Sequence, residues 1–323
     1  MSEDYTITEL DLFNKELTQL PDDIHLYTNL KVLYCGINKI TQLDNLPPAL
    51  KTLNCFNNKI TQLDNLPPEL EILHCCYNQI TQLDNLPYGL KELDCKNNKI
   101  TQLDNLPIGL KELNCSHNQI TQLNNLPSGL KELRCWYNSI TQLDNLPPNL
   151  LYLYCLDNKF AQLDNLPQCL ERLSCNGNYI RQLDNLPPGL KELYCCNNRI
   201  TQLDNLPQCL EKIGCNNNYI RQLDNLPPGL KELYCSGNNI AQLDNLPQCL
   251  KRLDCNGNNI TQLDNLPPGL KELYCEGNPL SYNFKPTLTN IKMYVAMKLI
   301  FKILKSPFTK FINYFVSNKT AKA

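Results

Sequence analysis

The residues best equipped for chemistry in this chain of 323 residues are 18 cysteines and three histidines. Thirteen of the cysteines recur in steps of 20 residues, from Cys35 through Cys55 and Cys75 to Cys275. Thiols in that number suggest disulfides in a secreted protein and free, buried thiols in a reducing one. Strands of one sheet lie about 4.8 Å apart, which does not exclude bonds between neighbouring thiols on distance, so the compartment decides. The N-terminal stretch MSEDYTITEL is acidic and polar where a secretory signal would be basic and then apolar. We therefore expect a cytoplasmic protein in which the thirteen form a core column of small hydrophobes. Cys76 and Cys196 each follow a column cysteine and should point to the opposite face. With His74 and His117 they invite a zinc site, but the chain has no Cys-x-x-Cys pair and no familiar four-ligand spacing. Cys169, Cys209 and Cys249 recur in every second repeat, about 10 Å apart, too far to bridge one another. His25, His74 and His117 belong to no recognisable nucleophile or metal constellation, and no glycine-rich phosphate loop occurs. The expectation is no catalysis, no metal and no cofactor.

The elements that hold these residues follow from one repeat. Its consensus is Leu-x-x-Leu-x-Cys-x-x-Asn-x-Ile-Thr-Gln-Leu-Asp-Asn-Leu-Pro-x-x, seen well at residues 50–69. The apolar positions Leu50, Leu53, Cys55, Ile60, Leu63 and Leu66 fit no sustained helical or strand period. Only the piece around Leu53 and Cys55 alternates as a strand does. One such coil buries too little apolar surface to offset the entropy of ordering its backbone, so coils must stack and pair their short strands into a parallel sheet. Pro47-Pro48, Pro67-Pro68 and Pro147-Pro148 remove the N–H groups a helix needs and predict an extended, polyproline-like return. The Asn column, Asn38 to Asn278, predicts a buried ladder of amides bonded to backbone. Asp44, Asp64, Asp84, Asp104 and their successors, interrupted only by Asn124, form an acidic column. Like charges one coil apart repel by roughly 1 kcal/mol. Each carboxylate is therefore expected to accept backbone N–H bonds in its own turn, with cation binding as the alternative.

The columns Leu-x-x-Leu-x-Cys-x-x-Asn-x-Ile resemble the leucine-rich-repeat superfamily. The short unit and its Leu-Pro-x-x-Leu return are most similar to repeats of enterobacterial type III secreted effectors and of giant DNA viruses of amoebae. The resemblance implies an α/β-type solenoid with a parallel concave sheet, a protein partner, and residence in a host cytoplasm if the source is a virus or pathogen. One group of such effectors carries a ubiquitin-ligase domain after its repeats. Only residues 281–323 follow the array here, so that activity is not implied. The organisation expected is an N-terminal cap with one degenerate repeat at 1–29, the array at 30–280, and a helical, basic, apolar C-terminal cap at 281–323.

Variation between coils points to a binding face. Positions equivalent to 52, 54, 56 and 57 differ from coil to coil while the other columns hardly change. Such variation fits one tunable concave surface, and it also fits drift of exposed positions after duplication. Arg134, Trp136, Tyr137, Tyr152, Tyr154 and Leu156 should lie side by side on this face, with Trp136 solvent-exposed. Aromatic and Arg side chains dominate interface hot spots, so these are the expected partner-binding residues. Tyr154, Tyr194, Tyr234 and Tyr274 add a stripe at 40-residue spacing. The same period appears in the Pro-Gln-Cys of 167, 207 and 247, so the stripe is equally explained by a two-coil duplication.

The formal net charge of −2 hides an asymmetry. Beyond Glu276 there are eight lysines and no acid, leaving 22 basic against 32 acidic residues before it. An acidic array with a basic tail does not suit nucleic-acid binding, which needs cations along the contact surface. Residues 288–305 read as a helix, and Ser306-Pro307 followed by Phe308, Phe311, Ile312 and Phe315 as a second. Their first expected role is to cover the open end of the array. The alternative is interfacial contact of residues 288–316 with an anionic membrane, not a span, since lysines interrupt the apolar run.

Overall fold

The computed structural model describes residues 5–282 and 284–304. The alternating piece of each repeat forms a three-residue strand. In chain order these are β1 (Glu9–Asp11), β2 (Val32–Tyr34), β3 (Thr52–Asn54), β4 (Ile72–His74), β5 (Glu92–Asp94), β6 (Glu112–Asn114), β7 (Glu132–Arg134), β8 (Tyr152–Tyr154), β9 (Arg172–Ser174), β10 (Glu192–Tyr194), β11 (Lys212–Gly214), β12 (Glu232–Tyr234), β13 (Arg252–Asp254) and β14 (Glu272–Tyr274). They pair in that order into one parallel 14-stranded sheet. The register repeats at each step, so Leu33, Leu53 and Leu73 stand side by side. β1 comes from the divergent segment before Leu30, and Glu9 meets Val32 across 23 residues.

The middle Leu of β3 and the Cys that follows it, Leu53 and Cys55, are both fully buried, while Thr52 and Asn54 face outward on the concave side. Two elements of backbone pairing join the coils beyond the strands. The Cys55 N–H donates to the His74 carbonyl at 2.8 Å, and the Lys59 N–H to the Ile40 carbonyl at 2.9 Å. On the convex side the chain is extended and turned, with no helix between β2 and β14. Pro47 opens each return, and the Leu50 N–H closes its turn on the Pro47 carbonyl at 3.2 Å.

The Asn column satisfies the backbone where the strand turns. At Asn158 the side-chain Nδ2 donates to the carbonyls of Cys135 (3.0 Å), Cys155 (3.2 Å) and Leu156 (3.1 Å). Its Oδ1 accepts the Ile140 N–H at 3.0 Å. One rung differs. Phe160 replaces the Ile of its column and is fully buried, and the Oδ1 of Asn178 is buried without a hydrogen-bond partner.

Two turns per coil lie in the left-handed region. One is the Asp-Asn turn of the return, with Asn45 and Asn65 at φ 56°. The other follows the ladder Cys, with Asn57 at φ 54° and Gly177 at φ 67°. Asn and Gly tolerate this conformation best, which accounts for the constant Asn after each Asp. Ile37, at φ 51°, carries a β-branched side chain there.

A 17-residue helix, α1 (Leu288–Leu304), follows the last coil. Ile291 is buried against the array, and Val295 packs partly beside it. Lys292 Nζ donates to the Leu270 carbonyl at 3.0 Å, and Lys298 pairs with Asp264 at 2.5 Å. Two of the lysines are thus turned to the array. Met293, Met297, Ile300 and Phe301 face outward and are exposed. The second helix expected from Ser306 onward lies outside the described residues.

Candidate interaction face

The concave sheet divides the expected binding residues into two groups. Arg134 and Tyr154 stand on neighbouring strands β7 and β8, in register. The Arg134 guanidinium lies 5.8 Å from the Tyr154 ring and pairs with Glu132 at 2.5 Å. Arg172 donates to the Tyr154 hydroxyl at 3.3 Å and pairs with Glu192 at 2.7 Å. Tyr152, Tyr154 and Leu156 are all half-buried.

Trp136 is a correction. It was expected in solvent, but the ring is half-buried and its indole N–H is buried with no acceptor among the described residues. The cause is crowding across coils: Lys96 Nζ lies 5.3 Å from the indole centroid, and the His117 and Tyr137 rings lie 6.1 and 6.5 Å away. Tyr137 is not on the strand plane. It occupies the left-handed turn at φ 50°, remains 51% exposed, and stacks on His117 at 4.4 Å. Tyr77 occupies the equivalent turn, 50% exposed, with Lys96 Nζ 5.7 Å from its ring. Tyr77, Lys96 and His117 therefore join Trp136 and Tyr137 in one cluster along the sheet edge. Sequence reasoning missed these three as binding residues, although the variability of columns 56 and 57 marked their positions. Burial and the nearby Lys96 charge lower the His117 pKa, so its ring favours the neutral form.

The tyrosine stripe is braced rather than free. The hydroxyls of Tyr194 and Tyr234 donate to Glu192 (3.0 Å) and Glu232 (2.7 Å) of their own strands, and Tyr274 reaches Glu272 at 3.3 Å. In the intervening coils Lys212 pairs with Glu232 at 2.9 Å, and Arg252 with Glu272 at 3.1 Å. Lys212 Nζ lies 5.4 Å from the Tyr234 ring, and the Arg252 guanidinium 5.3 Å from that of Tyr274. The 40-residue period thus alternates Glu/Tyr strands with strands carrying a cation and a small or short side chain.

The family now rests on geometry and on likeness. The model for leucine-rich repeats in two copies matches residues 28–68, 48–88 and 228–268. The functional domain of InlJ from Listeria monocytogenes, which includes a cysteine ladder, is 33% identical with a TM-score of 0.75. The match covers 86% of this chain and 64% of that one, so this chain spans less than two thirds of the InlJ domain. YopM, a leucine-rich effector protein from Yersinia pestis, is 29% identical with a TM-score of 0.66, over 83% of this chain and 88% of that chain. YopM from Yersinia enterocolitica is 30% identical with a TM-score of 0.52, over 84% and 78%. The circular leucine-rich-repeat protein CroV588 shares the fold, at 24% identity and a TM-score of 0.62 over 76% and 40%. Comparison with curated proteins gave no match.

This chain is a leucine-rich-repeat protein.

In this leucine-rich-repeat array the ladder thiols are free and buried. Burial pushes the Cys35 thiol up to about 12 and that of Cys55 well above its ordinary value. Cys76, half-buried on the concave side, is raised to about 11, chiefly by burial and then by Asp94. His74 bonds to Glu92 at 2.9 Å, away from His117. Among the described residues no group of three metal-binding side chains comes together.

The acidic column also differs from expectation. Among the described residues its carboxylates accept no backbone N–H bonds. At Asp104, Asp144 and Asp244 the acceptor is met by the Asn side chain one coil on, at 3.2 to 3.3 Å. Asn125 and Asn165 sit in the left-handed turn.

Proposed function

We propose that this protein is an interaction scaffold that binds a protein partner at the edge of its concave sheet, centred on Tyr77, Lys96, His117, Trp136, Tyr137 and Tyr154. Leucine-rich repeats generally serve as protein-interaction scaffolds. The carrying observation is the aromatic and cationic cluster of Trp136, Tyr137 and Lys96, with Tyr137 half-exposed, beside a sheet whose other charges are largely paired. Rigid aromatic side chains bury large area at little entropic cost, and a partner covering them would desolvate them further. A reducing cytoplasm is the setting we propose, in which the buried thiol column would stay reduced. No nucleic acid and no cofactor enter this reading.

The test is capture from a lysate by the intact chain and by a Trp136→Ala, Tyr137→Ala, Tyr154→Ala variant of equal circular dichroism. Loss of a specific protein band in the variant supports the reading. Identical bands from both proteins remove this cluster as the site.

The outward face of α1 favours a second reading, peripheral contact with an anionic membrane through residues 288–316. Met293, Met297, Ile300 and Phe301 form the apolar part, and no helix among the described residues is long and apolar enough to cross a bilayer. Sedimentation with phosphatidylserine vesicles that persists in a Met297→Glu, Ile300→Glu variant would remove it.

A further inference from the structure

The six arginines fall into two sets. Arg134, Arg172 and Arg252 lie on the concave sheet, and each pairs with a glutamate. Arg181, Arg199 and Arg221 lie on the flank that follows the sheet, in three consecutive coils, and all are exposed. Among the described residues the side chains of these three make no ion pair and no hydrogen bond. Two tyrosines accompany them: Tyr179, 45% exposed, and Tyr219, 56% exposed, each two residues before an arginine. The Arg199 guanidinium lies 4.8 Å from the Tyr179 ring, which leaves its N–H edges to solvent.

The column that carries Arg181 and Arg221 is threonine in most coils and alanine at 161 and 241. It therefore reads Ala, Arg, Thr, Arg, Ala over five successive coils, small at both ends with two long cations between. At the Ala161 end an open concavity of about 630 Å³ is lined by Tyr179, Arg181 and Arg199 among others. At the Ala241 end a second, of about 750 Å³, is lined by Arg221 and Asn239. Arg181 and Arg221 are two coils apart, roughly 10 Å.

An unpaired guanidinium presents a planar fork suited to a carboxylate or a phosphate. The neighbouring column decides between them. Asp164, Asp184, Asp224 and Asp244 border the same concavities and would repel a continuous polyanion. Discrete carboxylates spaced to meet Arg181 and Arg221 avoid that repulsion, and the tyrosines offer stacking faces between them.

We propose that the flank of Tyr179, Arg181, Arg199, Tyr219 and Arg221 is a second binding surface, for an acidic polypeptide segment with two carboxylates about 10 Å apart. It is independent of the concave cluster.

The experiment selects from a random-peptide phage library on the immobilised full-length protein. Recovered peptides are synthesised and titrated by fluorescence anisotropy against the parent, an Arg181→Ala, Arg221→Ala variant, an Arg181→Lys, Arg221→Lys variant and the concave triple variant. Thermal melts first establish that all four are folded, as expected for changes at exposed positions. The expected result is a set of peptides carrying two or more acids whose affinity falls about ten-fold in the Ala variant, falls less in the Lys variant and is unchanged in the concave variant. Failure to recover acid-bearing peptides overturns the proposal, as does equal binding by the Ala variant. Displacement of a recovered peptide by oligouridine at equal concentration also overturns it, since the flank would then accept a continuous polyanion. Loss of binding in the concave variant alone assigns the peptides to the first surface and overturns the second.

Discussion

Asn158 makes four hydrogen bonds from one side chain, joining three carbonyls and one N–H from two coils. Replacing it by Ala leaves the buried Ile140 N–H unpaired and takes one of two donors from each carbonyl, which keep Asn138, Asn178 and the Tyr137 N–H, so Asn158→Ala should lose about 2 kcal/mol in urea unfolding. An unchanged midpoint would mean that water enters the turn and replaces the amide. This column was legible in the sequence because thirteen copies hold the same residue where only a turn could lie. The left-handed turn after the ladder Cys was not, because it tolerates Asn, Gly, Tyr, His and even Ile37. Without that turn the outward throw of Tyr137 and Tyr77 was invisible, and so was the crowding that half-buries Trp136. The thiols give a second test. Cys169, Cys209 and Cys249 are exposed and should react first with a water-soluble disulfide reagent at neutral pH. Cys76 should follow slowly, its rate rising as pH climbs toward its raised value of about 11 and more thiolate forms. The ladder thiols should react only on unfolding, and early reaction of all 18 would contradict the packed column.

At the scale of elements, the short strands and Pro-rich returns were predictable because each coil repeats the same conflict between apolar demand and missing N–H groups. The helix that begins at Leu288 was legible too, with Lys298, Lys302 and Lys305 at helical spacing. Which face docks was not, since the segment is apolar nearly all round, and the answer came from Lys298 reaching Asp264 and Ile291 filling the end of the core. Ile291→Glu would place an unpaired charge against that core. It should release α1, and amide exchange should then speed up in β14 while coils near β7 keep their protection. Unaltered exchange in β14 would mean that α1 does not cover the array.

Among the described residues each strand pairs only with the strands before and after it. Stability in such an array is a sum of coil and neighbour terms, so opening should proceed from the ends. Hydrogen exchange is expected to be slowest between β5 and β10 and to quicken toward β1 and β14. A uniform profile would show that the array opens as one unit.

From Asn58 onward the bond from each column Asn reaches back 23 residues and no further, and every strand meets its neighbour in the same frame. Removing or adding one whole 20-residue unit therefore leaves every remaining rung with a partner of the right kind. The spacing between the aromatic cluster near Trp136 and the arginine flank near Arg181 is thus adjustable in increments of one strand separation, about 4.8 Å. Recombination between sister units could lengthen or shorten that gauge without any new core having to be invented.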